Sequence, residues 1–512
     1  MLVKTYSSTV SGIDARTITV EVDCSPGCKT MIVGLPDNAV RESAERIKAA
    51  FSNSKIVPPS RNVVVNLAPA DLRKEGSHYD LPIAVGILGG SGVISSERLD
   101  KYLILGELSL DGTVMPIKGA LPIAVSALKE GFTGVILPEA NAREAAVVQG
   151  IEVYGVRDIL QVLEILEGCA SIEPTSVNTR EDYFRNYEDF EVDFFDVKGQ
   201  SGAKRALEIA AAGGHNVLLI GPPGSGKSML SVRMPTIIPP MTLAEALEST
   251  KIHSVAGKVG VSGGLLSHRP FRSPHHTVSD VALVGGGASP MPGEISLAHN
   301  GVLFLDEMPE FSRHALEVMR QPLEQRVIEI SRARYSVKYP ANFMLIGAMN
   351  PCPCGYRTHP DKECTCSAAA VQRYAGKISG PLLDRIDIHI EVMPVDIESM
   401  TSRREGESSS DIRARVVKAR ERQSERYQGT AVHCNAMMTP AMMEEYCQMD
   451  GATISHLRQA MEKLGLSARA YDRIVRVART IADLVGEEKI RENHIAEAIC
   501  YRSIDRDSWA MF

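Results

Sequence analysis

Apolar and polar positions give this chain two clear rhythms and a mixed beginning. Three short apolar runs, Val217–Ile220, Val302–Leu305 and Phe343–Met349, show no alternation and read as buried strands. Each stops at a residue equipped for chemistry: Gly221, then Asp306 with Glu307, then Asn350. Beyond Ser410 the rhythm turns helical. Tyr471, Ile474, Val475, Ala478, Ile481, Ala482 and Val485 recur at i, i+3, i+4, i+7 spacing. Asp472, Arg473, Arg476, Arg479 and Asp483 fall off that face, so a small helical bundle is expected.

The first part of the chain mixes both patterns. Asn62–Leu67 predicts a strand, Asn38–Phe51 a helix behind the turn Gly34–Asp37, and Leu81–Leu88 a buried helix. Tyr102–Leu110 and Gly112–Val114 predict a hairpin around Asp111-Gly112. Two polar breaks interrupt the order: Ser171–Phe195, acidic with scattered aromatics, and Thr401–Ser410. They mark out a front domain (1–170), a linker (171–194), a central domain (195–400) and a helical region (401–512), close to what 512 residues allow. No internal repeat is visible.

Composition narrows the class. Apolar residues make up 44% and charged residues 23%, ordinary for a globular protein. No run approaches the roughly 18 apolar residues of a membrane span. Met1–Tyr6 lacks the charged start and apolar block of a secretion signal. The net charge of −7 argues against a surface coated in cations but allows a local basic patch. A cytoplasmic protein without a membrane partner is expected. Ten cysteines are too few for a secreted disulfide scaffold of this length.

Gly221-Pro222-Pro223-Gly224-Ser225-Gly226-Lys227-Ser228 fits G-x-x-x-x-G-K-[ST], after a strand and before a helix. Its glycines let backbone N–H groups close around phosphates. Lys227 would reach the β- and γ-phosphates, and Ser228 would hold Mg²⁺. Two adjacent acids at the end of an apolar strand are costly unless a metal and a water need them. Asp306 is therefore expected on Mg²⁺ and Glu307 on the attacking water. Asn350 would orient that water and sense the γ-phosphate. Arg385, in Ser379–Asp387, is a candidate arginine finger from a neighbouring subunit, or else an Arg paired locally with Asp384 or Asp387.

Cys352-Pro353-Cys354, nine residues, then Cys364-Thr365-Cys366 place four thiols in fifteen positions. In a reducing compartment four thiols so close together fit a Cys₄ zinc site, although C-x-C is less common than C-x₂-C, with unmetallated reduced thiols as the alternative; the zinc would be structural because four thiolates close the shell, and His359 could replace one ligand. Cys24 and Cys28 read as incidental thiols.

In this order, the phosphate loop, Asp306-Glu307, Asn350, Leu382-Leu383-Asp384-Arg385 and the helical tail resemble the AAA+ ATPases, and more closely their magnesium-chelatase-like branch. Phe195–Gln200 and Arg205–Asn216 resemble the segment of that branch facing the nucleotide base, which implies Val197 and Gly199 as contacts. Over its whole length the chain is similar to the ComM/YifB family. The resemblance implies an α/β fold: an AAA+ P-loop NTPase core with a C-terminal helical lid, preceded by an α+β Lon-like domain of the ribosomal S5 domain 2 type. It implies Arg469 as a second sensor, with Arg473 as the alternative.

Two segments mark the branch. Ser254–Ile295 is a long Gly/His/Pro-rich stretch containing Arg272-Ser273-Pro274-His275-His276. Gln325–Pro340 predicts a hairpin with four cations, Arg326, Arg332, Arg334 and Lys338, against one acid, Glu329. In the ring that the resemblance implies, Arg332, Arg334 and Lys338 would follow a phosphate backbone, and Tyr335 and Tyr339 would stack bases.

The front domain resembles the Lon protease domain, which needs a serine and a lysine as nucleophile and base. His78 or Tyr79 falls at the nucleophile position and Leu121 near the lysine position, with Ser77 and Lys118 displaced. A non-proteolytic domain for assembly or DNA contacts is expected. The leading expectation is an ATP- and Mg²⁺-dependent hexameric DNA motor that migrates branches during recombination, as in natural transformation. The alternatives are a metal-insertion chaperone of the magnesium-chelatase type and an ATP-dependent protease.

Overall fold

The computed structural model describes residues 1–57, 61–168, 172–178, 181, 183, 190–259, 264–287, 290–332, 335–395 and 406–502. Two sheets organise it. The front sheet has the order β3-β4-β2-β1-β5-β6-β7, with β1 Leu2–Ser11, β2 Asp14–Pro26, β3 Thr30–Val33, β4 Arg61–Ala68, β5 Tyr102–Ile104, β6 Gly134–Pro138 and β7 Glu152–Val156. β1 and β2 form a long antiparallel hairpin, Leu2↔Asp23 through Ser11↔Asp14, and β5, β6 and β7 run parallel. The expected apolar helix is α1, Asp80–Gly90, buried at every position. Its glycines allow that depth: a side chain at Gly86 would come within 2.6 Å of Val22.

Two expectations here need correction. The helix predicted over Asn38–Phe51 is broken at Glu42 into Asn38–Arg41 and Ser43–Asn53. The run Tyr102–Leu110 does not form one hairpin arm. Its first part joins the main sheet, while Glu107–Leu108 pairs with Val114–Met115 around Asp111-Gly112. Leu105 N–H donates to Ile136 O and Gly106 N–H to His78 O, which ends the strand between them.

The central sheet is parallel, with β8 Val217–Ile220, β9 Phe271–Arg272, β10 Val302–Leu305, β13 Met344–Met349 and β14 Ile388–Glu391 in the order β9-β10-β13-β8-β14. Between β10 and β13 lies an antiparallel hairpin, β11 Val327–Arg332 and β12 Tyr335–Pro340. Side chains alternate across the sheet. Val217, Leu219, Phe304 and Ile346 face a core shared with helix α2, Ser201–Gly213, and the lid. Leu218, Ile220, Leu305 and Leu345 face a second core that includes Ile328, Ile330, Val337 and Tyr339 of the hairpin. Burial on both faces explains why these strands read as unbroken apolar runs.

The lid carries helices over Ser409–Arg426, Pro440–Tyr446, Gly451–Leu464, Ala468–Val485 and Glu492–Cys500. In Ala468–Val485, Ile474, Val475, Ala478, Ile481 and Ala482 are buried as the spacing predicts. Tyr471 and Val485 are exposed instead, and Arg479 and Asp483 are buried. The reason is a charge cluster: Arg426 pairs with Asp483 at 2.6 Å, and Arg479 with Asp483 at 3.0 Å. Mutual pairing offsets the cost of burying these charges.

The predicted linker is docked where it is described. Thr175 N–H donates to Val153 O at 2.7 Å, and the buried Tyr183 hydroxyl donates to Met241 O at 2.5 Å. Front and central domains also meet directly. Gly119 N–H donates to Ser254 O at 3.1 Å, and the Ser254 hydroxyl bonds to Glu144.

Candidate functional site

Parallel strands end on one edge, so the residues that follow them converge there. Gly221 follows β8, Asp306 and Glu307 follow β10, and Asn350 follows β13. The phosphate loop closes between β8 and helix Lys227–Val232. Gly224 (φ +79°) and Gly226 (φ +90°) occupy left-handed backbone, and a side chain at either would meet open space. The loop's N–H groups and the helix start form an anion cradle. Ser225 Oγ is buried there without a hydrogen-bond partner.

Lys227 Nζ donates to Gly221 O at 2.7 Å and Pro222 O at 2.9 Å, and lies 3.4 Å from Asn350 Oδ1. Burial lowers its pKa, opposed by Asp306 and Glu307. Ser228 Oγ donates to Asp306 Oδ2 at 2.7 Å. A hydroxyl and a carboxylate in contact at the loop are the ligand pair that Mg²⁺ takes in such sites. The donor set therefore fits Mg²⁺ and a triphosphate. Gln200, at the end of the segment the sequence reading set beside the base, has a role that reading did not assign. Its amide donates to Ser225 O at 3.1 Å and Met393 O at 2.5 Å, tying the phosphate loop to the strand edge. Val197 is buried in the core beside it, and Gly199 holds φ +63° in the same turn.

Glu307 stands in left-handed backbone (φ +49°), a costly conformation for a residue with a side chain. Its carboxylate reaches solvent and lies 3.5 Å from His276 Nδ1. With Asn350 it lines a cleft of about 510 Å³ whose other walls include Pro353, Arg373, Tyr374 and Lys377. His276, Arg373 and Lys377 carry no recognisable signal in the sequence beyond the histidine pair itself.

Arg385 is not paired with Asp384 or Asp387. It forms an ion pair with Glu324 and donates to Pro381 O at 2.5 Å. Arg469 is 69% exposed and lies 3.3 Å from Asp384. Arg473 is 2.8 Å from buried Asp387, which also meets His215 at 3.1 Å. Burial pushes the Asp387 pKa up, but Arg473 and His215 together pull it well below the carboxylate range.

The hairpin keeps its apolar side in the core and its polar side outward. Lys338 is exposed, Arg332 and Tyr335 are described only in their backbone, and Arg334 lies outside the described residues. Tyr339 is fully buried and donates to Pro290 O at 2.7 Å, so it cannot stack on a base. Arg326 donates to Phe343 O and belongs to the hairpin's foot.

The four cysteines converge. Cys352 Sγ is 3.3 Å from Cys354 Sγ and 3.6 Å from Cys364 Sγ, and all four sulfurs lie within 4.8 Å of one another. Cys354 N–H donates to Cys366 Sγ at 3.4 Å. Burial drives the Cys352 thiol up to about 12. For Cys354 burial is outweighed by the Tyr356 N–H and the Cys352 thiol, leaving it at about 6.

In the front domain Ser77 donates to Glu107, and among the described residues no hydrogen bond joins it to Lys118. His78 faces Ser8 O at 3.1 Å and is held neutral by burial, its pKa pushed down to about 4. Ser77, Glu107 and Lys118 line an inter-domain cavity of about 500 Å³, with Met291 and Val337 on the central side.

Comparison with known proteins places these parts. Residues 193–400 match the family model described as magnesium chelatase, subunit ChlI. Residues 406–502 match its C-terminal model, and residues 20–141 a further model for that subunit. The chain is 42% identical to competence protein ComM of Haemophilus influenzae over 508 residues, 98% of this chain and 97% of the relative. It is 42% identical to YifB of Escherichia coli, covering 97% and 96%. A weaker likeness, 29% over 189 residues (31% and 33% covered), joins it to Lon protease 2 of Bacillus subtilis, in keeping with a Lon-like front domain. With an α/β AAA+ core, a helical lid and this full-length similarity, the chain belongs to the ComM/YifB family of magnesium-chelatase-like proteins.

Proposed function

We propose that this chain is an ATP-hydrolysing, ring-forming DNA motor of the cytoplasm that moves branched DNA during recombination. The observation that carries this reading is the succession on one sheet of phosphate loop, acidic strand and sensor strand, with a hairpin leading straight into the last. The hairpin's foot is locked into the core, and its outer face carries Lys338. Motion at Asn350 and motion at the hairpin are thus mechanically joined. The competence-protein name of the Haemophilus relative supports DNA as the track.

In this reading Lys227 leaves the carbonyls of Gly221 and Pro222 for the incoming phosphates. Ser228 and Asp306 would hold Mg²⁺, which would supply charge stabilisation to the phosphates when bound. Glu307 polarises water, and Asn350 orients it. Arg385 of a neighbouring copy, freed from Glu324, completes the pocket. Arg469 acts as second sensor, because Arg473 is committed to buried Asp387. Val197 and Gly199 face the base. Arg332, Arg334 and Lys338 track phosphates. The four thiolates hold one structural zinc, and the ring is a hexamer.

The family models favour a second reading, a metal-insertion chaperone of the chelatase type. A protease is disfavoured, because Ser77 is held by Glu107. The test is ATP turnover by protein of known oligomeric state, with and without forked or four-way DNA. We expect DNA to raise it. A monomer whose turnover ignores every nucleic acid would end the motor reading.

A further inference from the structure

We infer that the Cys352–Cys366 loop is a metal-held strut for the nucleotide site: zinc on its four thiolates keeps the loop pressed on the phosphate loop, so metal occupancy decides whether ATP is turned over. The inference rests on the zinc assignment above and adds a task to it.

Sulfur spacing supports a tetrahedral ion. Zinc–sulfur bonds of about 2.3 Å set sulfurs roughly 3.8 Å apart at the corners of a tetrahedron. The closest pairs here are 3.3, 3.6 and 3.6 Å apart, well beyond a disulfide bond, and the widest is within 4.8 Å. Little else orders the loop. Residues 351–367 contain neither helix nor strand, and only Pro351, Cys352 and Gly355 are buried among them. Apolar burial on that scale does not fix seventeen residues, and small segments of this kind depend on a staple.

What the loop touches gives the staple its purpose. Gly355, next to Cys354, sits against the phosphate loop: a side chain there would come within 2.6 Å of Pro223 Cδ and 3.8 Å of Asn350 Cγ. Pro353, between the first two cysteines, walls the cleft that holds Glu307 and Asn350. The loop therefore braces the phosphate cradle on one side and closes the water cleft on the other. Without the metal, both supports are released together.

Elemental analysis of the purified full-length chain should find one zinc per chain, and cobalt replacement should give tetrahedral thiolate absorption bands. Protein purified without thiolate-bound metal overturns the zinc assignment. Cys364→Ser with Cys366→Ser should lose the zinc, keep the helical circular dichroism and lose at least tenfold in ATP turnover. Retained turnover and retained affinity for a fluorescent ATP analogue would overturn the strut while leaving the zinc in place. Gly355→Ala tests the contact without touching a ligand, and serves should the double variant not fold. It should keep one zinc and still lose turnover, because φ +84° and Pro223 both oppose a side chain. Full turnover in that variant would also overturn the strut.

Discussion

His276 Nδ1 stands 3.5 Å from Glu307 Oε2, on the Gly/His/Pro-rich segment that the sequence singled out. The His276 ring lies against His275 at 4.1 Å, tilted by 34°, and meets Phe311 edge-on at 6.4 Å, so it has neighbours on two sides. The contact engages an oxygen that, in the proposed mechanism, must be free to polarise water. His276→Ala should raise ATP turnover in the absence of DNA several-fold and shrink the stimulation by DNA, with KM for ATP unchanged. Steady-state kinetics with and without DNA checks this; a drop in kcat would show that the ring positions the carboxylate rather than restraining it.

Glu307→Gln removes the carboxylate charge and keeps the shape. It should bind ATP with wild-type affinity while turnover falls roughly 10²–10⁴-fold, the usual weight of a positioned base. Lys227→Ala should instead abolish binding. Equilibrium titration beside a single-turnover assay separates the two.

Arg385 and Glu324 form an ion pair within one chain. Arg385→Ala should abolish turnover, and mixing it with Lys227→Ala chains should restore activity at junctions where an intact Arg385 faces an intact pocket. No recovery in mixed assemblies would place the guanidinium in its own subunit's site. Glu324→Ala, which frees the guanidinium, should leave turnover equal or higher.

The hairpin's foot and tip should answer to different measurements. Arg332, Arg334 and Lys338 changed together to Ala should weaken DNA binding and flatten its salt dependence, by up to about 0.9 in slope for each phosphate left without its cation. Tyr339→Phe removes one hydrogen bond to Pro290 O and should cost stability of about 1 kcal/mol, with DNA affinity unchanged. Salt-dependent binding isotherms and thermal melts read the two effects separately.

Burial lowers the pKa values of His78, His253 and His494, to about 4 for His78. An unfolded histidine takes up its proton near 6.5. Below that pH the unfolded chain binds more protons than the folded one, so stability falls as pH falls. For His78 the loss runs from about pH 6.5 to about pH 4. Unfolding midpoints should drop between pH 7 and pH 5, and His78→Gln should lessen the drop.

Much of the central domain was legible because its chemistry sits where apolar runs stop. Val217–Ile220, Val302–Leu305 and Phe343–Met349 announce buried strands, and the residues that follow them announce the candidate pocket. The short strands Phe271–Arg272 and Ile388–Glu391 were not legible, since the first has only two residues and His389 and Glu391 break the apolar run of the second. His276 stood in a segment the sequence marked out but without a role, and Arg373 and Lys377 gave no signal, because they reach the cleft through tertiary approach, which leaves no spacing to read. Arg385's partner lies 61 positions away at Glu324, beyond any local rule. The helical face of Ala468–Val485 was misjudged at Arg479 and Asp483, because charges that bury as a pair look like surface one at a time.

Arg469 and Arg473 lie one turn apart on a single lid helix, and they grip Asp384 and Asp387 on either side of Arg385. A lid helix that pivots would pull on both flanks of that residue. The tilt of the lid would then bear on where the Arg385 guanidinium sits. In a closed ring the message would reach the next pocket as geometry, and firing order would follow without any separate signal.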